Sequence, residues 1–168
     1  MEPMKATTML AVLALIGTAV TARADQTVKA RLHGFNEVPA ISSTGSGEFT
    51  ATIREDAVDF ELSYEGLEGA TTLAAHIHLG QADVNGGVSV FFCGGGGRPA
   101  CTPDSGTFSG TFTAADVIGP TGQGIAAGEL AELIAAIRAG KTYVNVHTDK
   151  HPGGEIRGQV REDRGTSN

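Results

Sequence analysis

The sequence predicts an all-β fold: a Greek-key or Ig-like antiparallel β-sandwich carrying one short amphipathic helix. Three observations predict it. Short runs alternate apolar and polar residues with period two, Gly, Asn, Asp and Pro punctuate them, and a single segment switches to helical spacing. Several such strands at short spacing are the pattern of a sandwich or barrel.

Taken in order, Thr27 to His33 sets Val28, Ala30 and Leu32 against Lys29 and Arg31. Residues 47–54 alternate again, and 57–64 group Val58, Phe60 and Leu62 opposite Asp59 and Glu61. In 72–79 the residues Leu73, Ala75, Ile77 and Leu79 share one face. Segments 88–92, 106–112, 141–147 and 154–160 complete the series. Residues 127–139 break it, with Leu130, Leu133, Ile134 and Ile137 at helical spacing and Gly140 as a stop signal. A second, shorter helical turn is expected at Thr113–Asp116, and 161–168 reads as a polar, frayed tail.

The start of the chain sets the compartment. One Lys is followed by the apolar or small run Met9 to Val20 and then by Ala22-Arg23-Ala24. This is the layout of a secretory signal cut after Ala24, and its apolar run is too short for a spanning helix. The expected organisation is a signal peptide (1–24), one domain (25–160) and the tail, with a periplasmic or secreted product that has no membrane span after cleavage. Export permits a disulfide, and Cys93 and Cys101 flank the flexible run GGGGRPA, so a Cys93–Cys101 bridge is expected in preference to a thiol metal pair. The chain has 12 Lys and Arg against 19 Asp and Glu. That acidity, with no basic cluster along the sequence, argues against nucleic acid and anionic membranes as partners.

Histidine placement is the chemically informative feature. Four of the five His fall in two clusters, His76-Ile77-His78 and His147 to His151. On a strand His76 and His78 share a face with Cα atoms about 6.6 Å apart, a separation at which two imidazoles can converge on one ion. With Ile77, Val144 and Val146 on the core side, His76, His78, Asn145 and His147 are expected on the outward face. If the two strands are neighbours, three or four imidazoles meet on one surface, a donor set that suits copper first and zinc second. The expected metal residues are His76, His78, His147 and His151, with Asp149 as a further oxygen donor or an imidazole partner. His33 reads as structural. No G-x-S-x-G is present, and Gly94 to Gly97 lacks the G-K-[ST] and helix of a phosphate loop.

Gly34 to Pro39, Gly45 to Ile53, Ala74 to Gly80 and Tyr143 to Gln159 stand in order along the chain, and together they resemble the motifs of the CHRD domain family, whose repeats occur in chordin and in bacterial exported proteins. Gly34-Phe35-Asn36-Glu37-Val38-Pro39 resembles its opening motif, and Gly45 to Ile53 its next strand. Ala74 to Gly80 resembles its central A-H-I-H-x-G motif. Tyr143 to Gln159 resembles its closing motif, so that the likeness spans about residues 27–160. The resemblance implies an all-β sandwich and leaves activity open, since the family name is a fold label more than a function.

A second likeness is to Cu,Zn superoxide dismutase. By it, His76, His78 and His147 would be copper ligands and Arg157 an anion guide. Residues 81–100 hold Asp83 alone as a candidate for the zinc loop, so the counterpart of a bridging His is missing. Three readings follow: a metal-binding module, a metal-free interaction or structural domain, and, ranked last, a dismutase-type enzyme. In the metal-free reading Asn36 and Glu37 bond backbone in a turn, and Glu155 pairs with Arg157.

Overall fold

The structure, a computed structural model, describes residues 25–165; the expected signal peptide lies outside the described residues. Nine antiparallel strands form a nearly closed, barrel-like sheet of sandwich character. They are β1 (Gln26–His33), β2 (Ser46–Ile53), β3 (Val58–Glu65), β4 (Thr72–Leu79), β5 (Val88–Cys93), β6 (Gly106–Phe112), β7 (Thr142–Thr148), β8 (Ile156–Gln159) and β9 (Arg161–Glu162). The hydrogen-bonded order is β5-β4-β7-β8-β1-β2-β3-β6, and β9 pairs with β1 beside β8. Thus the head of the polar tail adds a short strand. Both of its side chains are exposed, so it left no alternation to read.

The single α-helix, α1, runs Leu130–Arg138 and buries the four apolar residues that its spacing singled out. Short 3-10 turns occur at Gly34–Asn36, Ala114–Asp116 and Thr121–Gln123. The Ala114–Asp116 turn is closed by a capping box in which Asp116 accepts from the Thr113 backbone N–H at 2.8 Å.

Period-two alternation builds the core. Val28, Ala30 and Leu32, Phe49, Ala51 and Ile53, and Val58, Phe60 and Leu62 all point inward and are buried. From the other half come Ala75, Ile77, Val90, Phe92, Val144, Val146 and Ile156. Phe92 joins the two halves across the gap between β5 and β6. Its ring lies 5.2 Å from Phe49, 4.6 Å from Phe60 and 6.5 Å from Phe112. At the end of β5, Cys93 is bridged to Cys101 with an S–S distance of 2.01 Å, which closes the glycine-rich loop.

One face assignment is corrected. Leu73, expected in the core, is 43% exposed, while Thr72 is buried. The register between β4 and β7 shifts between Thr72 and Ala74, and one irregular step reverses the facing of every residue before it.

Phe92→Ala removes the ring that the sheet closes upon. It is expected to cost about 3–5 kcal/mol of stability. Denaturant unfolding of the purified variant measures this, and a cost under about 1 kcal/mol would contradict the closure described here.

Candidate metal centre

The polar face of β4 and β7 lies against the site. The register sets His76 opposite Asn145 and His78 opposite Tyr143, with His147 opposite Ala74. Alternation therefore projects His76, His78, Tyr143, Asn145 and His147 to one side of two hydrogen-bonded strands. Beyond them, Phe91 of β5 is paired with His76, and Arg157 of β8 with Asn145. The ring centroids of His78 and His147 each lie within reach of His76, both at 4.6 Å. One ligand atom from each of His76, His78 and His147 falls within 4.8 Å of the others.

The outward face is not a solvent face, and here the sequence expectation is corrected. His76 and His78 are each 6% exposed, Asn145 is buried and His147 is half-buried. Alternation identifies the side of the sheet, but loops decide whether water reaches it. The connection between β4 and β5 reaches back over His78 through Gly86, and the turn after β7 returns over His147 through Pro152.

Those two loops also fix the tautomers. A carbonyl oxygen only accepts, so the His78 Nδ1–H donates to Gly86 O at 2.8 Å and the His147 Nδ1–H donates to Pro152 O at 2.8 Å. Both rings are then left with a bare Nε2 lone pair. The carbonyl-anchored imidazole is the arrangement that orients metal-ligating histidines in general. The Nε2 of His147 is buried and has no hydrogen-bond partner. His76 Nδ1 lies 2.7 Å from His78 Nε2 and 3.2 Å from Asn145 Oδ1. Protonated, that nitrogen donates to either neighbour. Unprotonated, it opposes the lone pair of His78 at close range, which is stable only with a cation between them. Two nitrogens held ~2.0–2.1 Å from one ion are about 2.9 Å apart at the right angles of a tetragonal site and about 3.3 Å apart in a tetrahedral one. The 2.7 Å spacing is nearer the former. The three side chains therefore fit a borderline transition ion.

Electrostatics keep the rings neutral. Burial, followed by the nearby His78 and His147, pushes His76 down to about 3. Burial likewise lowers His78 to about 4, against the opposing pull of the Gly86 carbonyl. His147 is lowered by burial, with the Pro152 carbonyl acting in the other direction. Neutral imidazole is the form that ligates metal.

A polar frame surrounds the cluster. His78 stacks on Tyr143 with centroids 4.6 Å apart and planes 5° from parallel. The Arg157 guanidinium lies 3.4 Å over the other side of that system. It donates to Asn85 Oδ1 at 3.0 Å, to Gln81 O at 3.2 Å and to Val84 O at 2.8 Å. Arg157 is 1% exposed, so it braces the covering loop from within and does not stand at a mouth to guide anions. Glu37 is also buried. Desolvation raises its carboxyl to about 7, opposed by the Arg157 charge and by hydrogen bonds from Val38 and Asn145.

The expected four-histidine set resolves into three plus one. His76, His78 and His147 come together; His151 stays outside the group. His151 lines a separate small cavity with Glu37 and Gly154. Asp149 accepts from the backbone N–H groups of Thr71 and Lys150 at 3.1 and 3.0 Å, a role in loop geometry. Asp83 lies in a different cleft, beside Arg157. Glu155 and Arg157 do not pair. Glu155 instead accepts from Ser43 Oγ, the Glu68 backbone N–H and Thr148 Oγ1, all at 2.7 Å. Burial alone would raise that carboxyl, and these bonds hold it below the usual range. Asn36 bonds backbone, yet not within its turn: it donates to Arg157 O on β8 at 3.0 Å. The bracing roles of Tyr143 and Asn85 carry no local sequence signal, because both depend on a loop folding back.

The shifts set the acid response. Histidines lowered by burial take protons in the unfolded chain below about 6.5 and resist them when folded. Their stabilising contribution is complete above that pH and is lost as pH falls toward 4. Glu37, raised, acts in the opposite sense: its contribution is complete below about 4.5 and is lost as pH rises through 7. With three groups against one, the melting midpoint of metal-free protein should fall between pH 6.5 and 4.5. The variant His76→Asn/His78→Asn should flatten that fall, and a wild-type midpoint constant over the window would contradict the buried, neutral assignment.

No curated protein and no solved structure gives a significant match to the chain. The CHRD domain model matches residues 28–160, which covers β2 through β8 with the three histidines and all but the first two residues of β1. The chain belongs to the CHRD domain family.

Proposed function

We propose that this domain is an exported binding module that holds one transition-metal ion, copper in preference to zinc, through His76, His78 and His147. The observation that carries the reading is the convergence of three neutral imidazoles, with His147 Nε2 buried and otherwise without a partner. An all-imidazole set with no thiolate and no carboxylate among its members favours Cu(II) on the affinity order for divalent ions. Three protein ligands leave a coordination position free, which suits an ion that is passed on or that meets a small exogenous ligand. The role that follows is sequestration or delivery outside the cytoplasm. Family membership and the Cys93–Cys101 bridge agree with an extracellular-type domain. Among the described residues no helix is long and apolar enough to cross a membrane.

The second reading is a metal-free interaction domain, and it too has an observation in its favour. His78 and His147 each tie a loop to the sheet, through Gly86 O and Pro152 O. On that reading the histidines are fasteners.

Calorimetric titration of metal-free protein separates the two. The metal reading predicts one Cu(II) per chain, weaker Zn(II), and loss of at least about a hundredfold in Cu(II) affinity for His147→Ala, a ligand loss being costlier than the 10–100-fold typical of an outer-shell partner. Equal heats for wild type and His76→Ala/His78→Ala would overturn it and leave the fastener reading.

A further inference from the structure

The chain is acidic, yet its cations are not spread evenly. Residues 25–165 hold ten Lys and Arg and eighteen Asp and Glu. Two adjoining clefts, of about 460 and 580 Å³, run along β1, β8 and β9 and share Lys29, Arg161 and Glu162. Six of the ten cations line them: Lys29, Arg31, Arg138, Arg161 and Arg164, with the buried Arg157 beneath and turned to the covering loop. Only three carboxylates do so, Asp83, Glu162 and Asp163. Four cations and fifteen carboxylates remain for the rest of the described surface and interior. The domain is strongly polarised, with a basic furrow on an otherwise acidic body.

Sheet register makes this sharper. Lys29 and Arg161 stand directly opposite each other on β1 and β9, and like charges in that position destabilise a pair of strands. Arg31 follows two residues along the same face. Three ion pairs here have cations that are more than half exposed. Lys29 meets Asp163 at 2.6 Å, Arg31 meets Glu48 at 3.8 Å, and Arg164 meets Glu162 at 3.7 Å. Exposed pairs of this kind are worth little and exchange readily for another oxyanion.

We propose that this furrow binds a linear polyanion, such as an exocellular polysaccharide bearing sulfate, phosphate or carboxylate groups, and so holds the domain on an anionic matrix. Concavity selects a chain over a flat bilayer. The large exposed apolar residues, Phe35, Leu73, Val84 and Ile118, all lie outside the two clefts, so the furrow offers nothing to insert into lipid. The sequence expectation of no basic cluster is revised accordingly. The furrow's cations fall in three separate stretches, 29–31, 138 and 157–164, and the pairing of β1 with β8 and β9 brings the first and last together. The inference does not rest on the histidine centre.

Dextran sulfate is the probe, titrated into the purified protein in a calorimeter at low and at near-physiological salt. Binding should weaken about tenfold or more as salt rises, as counterion release requires. Arg31→Gln/Arg161→Gln should weaken binding at fixed low salt about fivefold or more, while Arg54→Gln/Lys150→Gln, with the same change of net charge, should stay within about twofold. All four positions are exposed, and thermal melts confirm that both variants remain folded. Absence of binding by wild type, or equal losses in the two variants, overturns the proposal. Binding to phosphatidylglycerol vesicles with none to dextran sulfate assigns the furrow to membranes and overturns it as well.

Discussion

The buried guanidinium of Arg157 is the constraint on which the site depends. It lies over Tyr143, which in turn stacks on His78, and its donors are spent on Gln81 O, Val84 O and Asn85. The loop so held presents Gly86 O to His78 Nδ1. One cation therefore fixes a loop, the loop fixes a tautomer, and the tautomer aims a lone pair at the neighbouring ring. A buried charge is costly unless it is paired or hydrogen-bonded, and three oxygen acceptors with the aromatic face offset that cost. The adjacent Glu37 adds a compensating charge to the extent that it ionises.

This makes the sheet two-sided in an unusual sense. One side of β4 and β7 is an aliphatic core of Ala75, Ile77, Val144 and Val146; the other is a buried polar layer of imidazoles, amide, phenol and guanidinium. A polar interior is tolerable when its members satisfy one another, and it then specifies one arrangement. Satisfaction is incomplete at the bare nitrogen of His147, beside two other imidazoles, and at Glu37 Oε1 near Arg157. Glu155 plays a parallel role at the far end of the same strands. Its three accepted bonds draw the 43–44, 68 and 148 segments together, which places the turn that carries Pro152 over His147.

Much of this was legible in the sequence, for a physical reason. Period-two burial and helical spacing are local properties, so the strand segments and α1 read directly, and the pairing of Cys93 with Cys101 followed from proximity and an expected export. The convergence of His76, His78 and His147 followed from alternation once β4 and β7 were taken as neighbours. What failed was everything that depends on loops folding back. The polar face was expected to meet water, and the loops around Gly86 and Pro152 exclude it. His151 was expected to join the cluster, yet it lines a separate cavity with Glu37 and Gly154. Arg157 was given an exposed role that its burial forbids. The basic furrow was invisible because its members fall in three separate stretches, 29–31, 138 and 157–164, that meet only through the fold.

The central claim is that three imidazoles share one ion. A crystal structure of the Cu(II)-soaked protein, with anomalous diffraction collected at the copper edge, tests it most directly. The account predicts one strong anomalous peak bounded by His76, His78 and His147, with the carbonyl contacts of Gly86 and Pro152 retained. A peak at another site, or none beside these rings at full copper occupancy in solution, would contradict it.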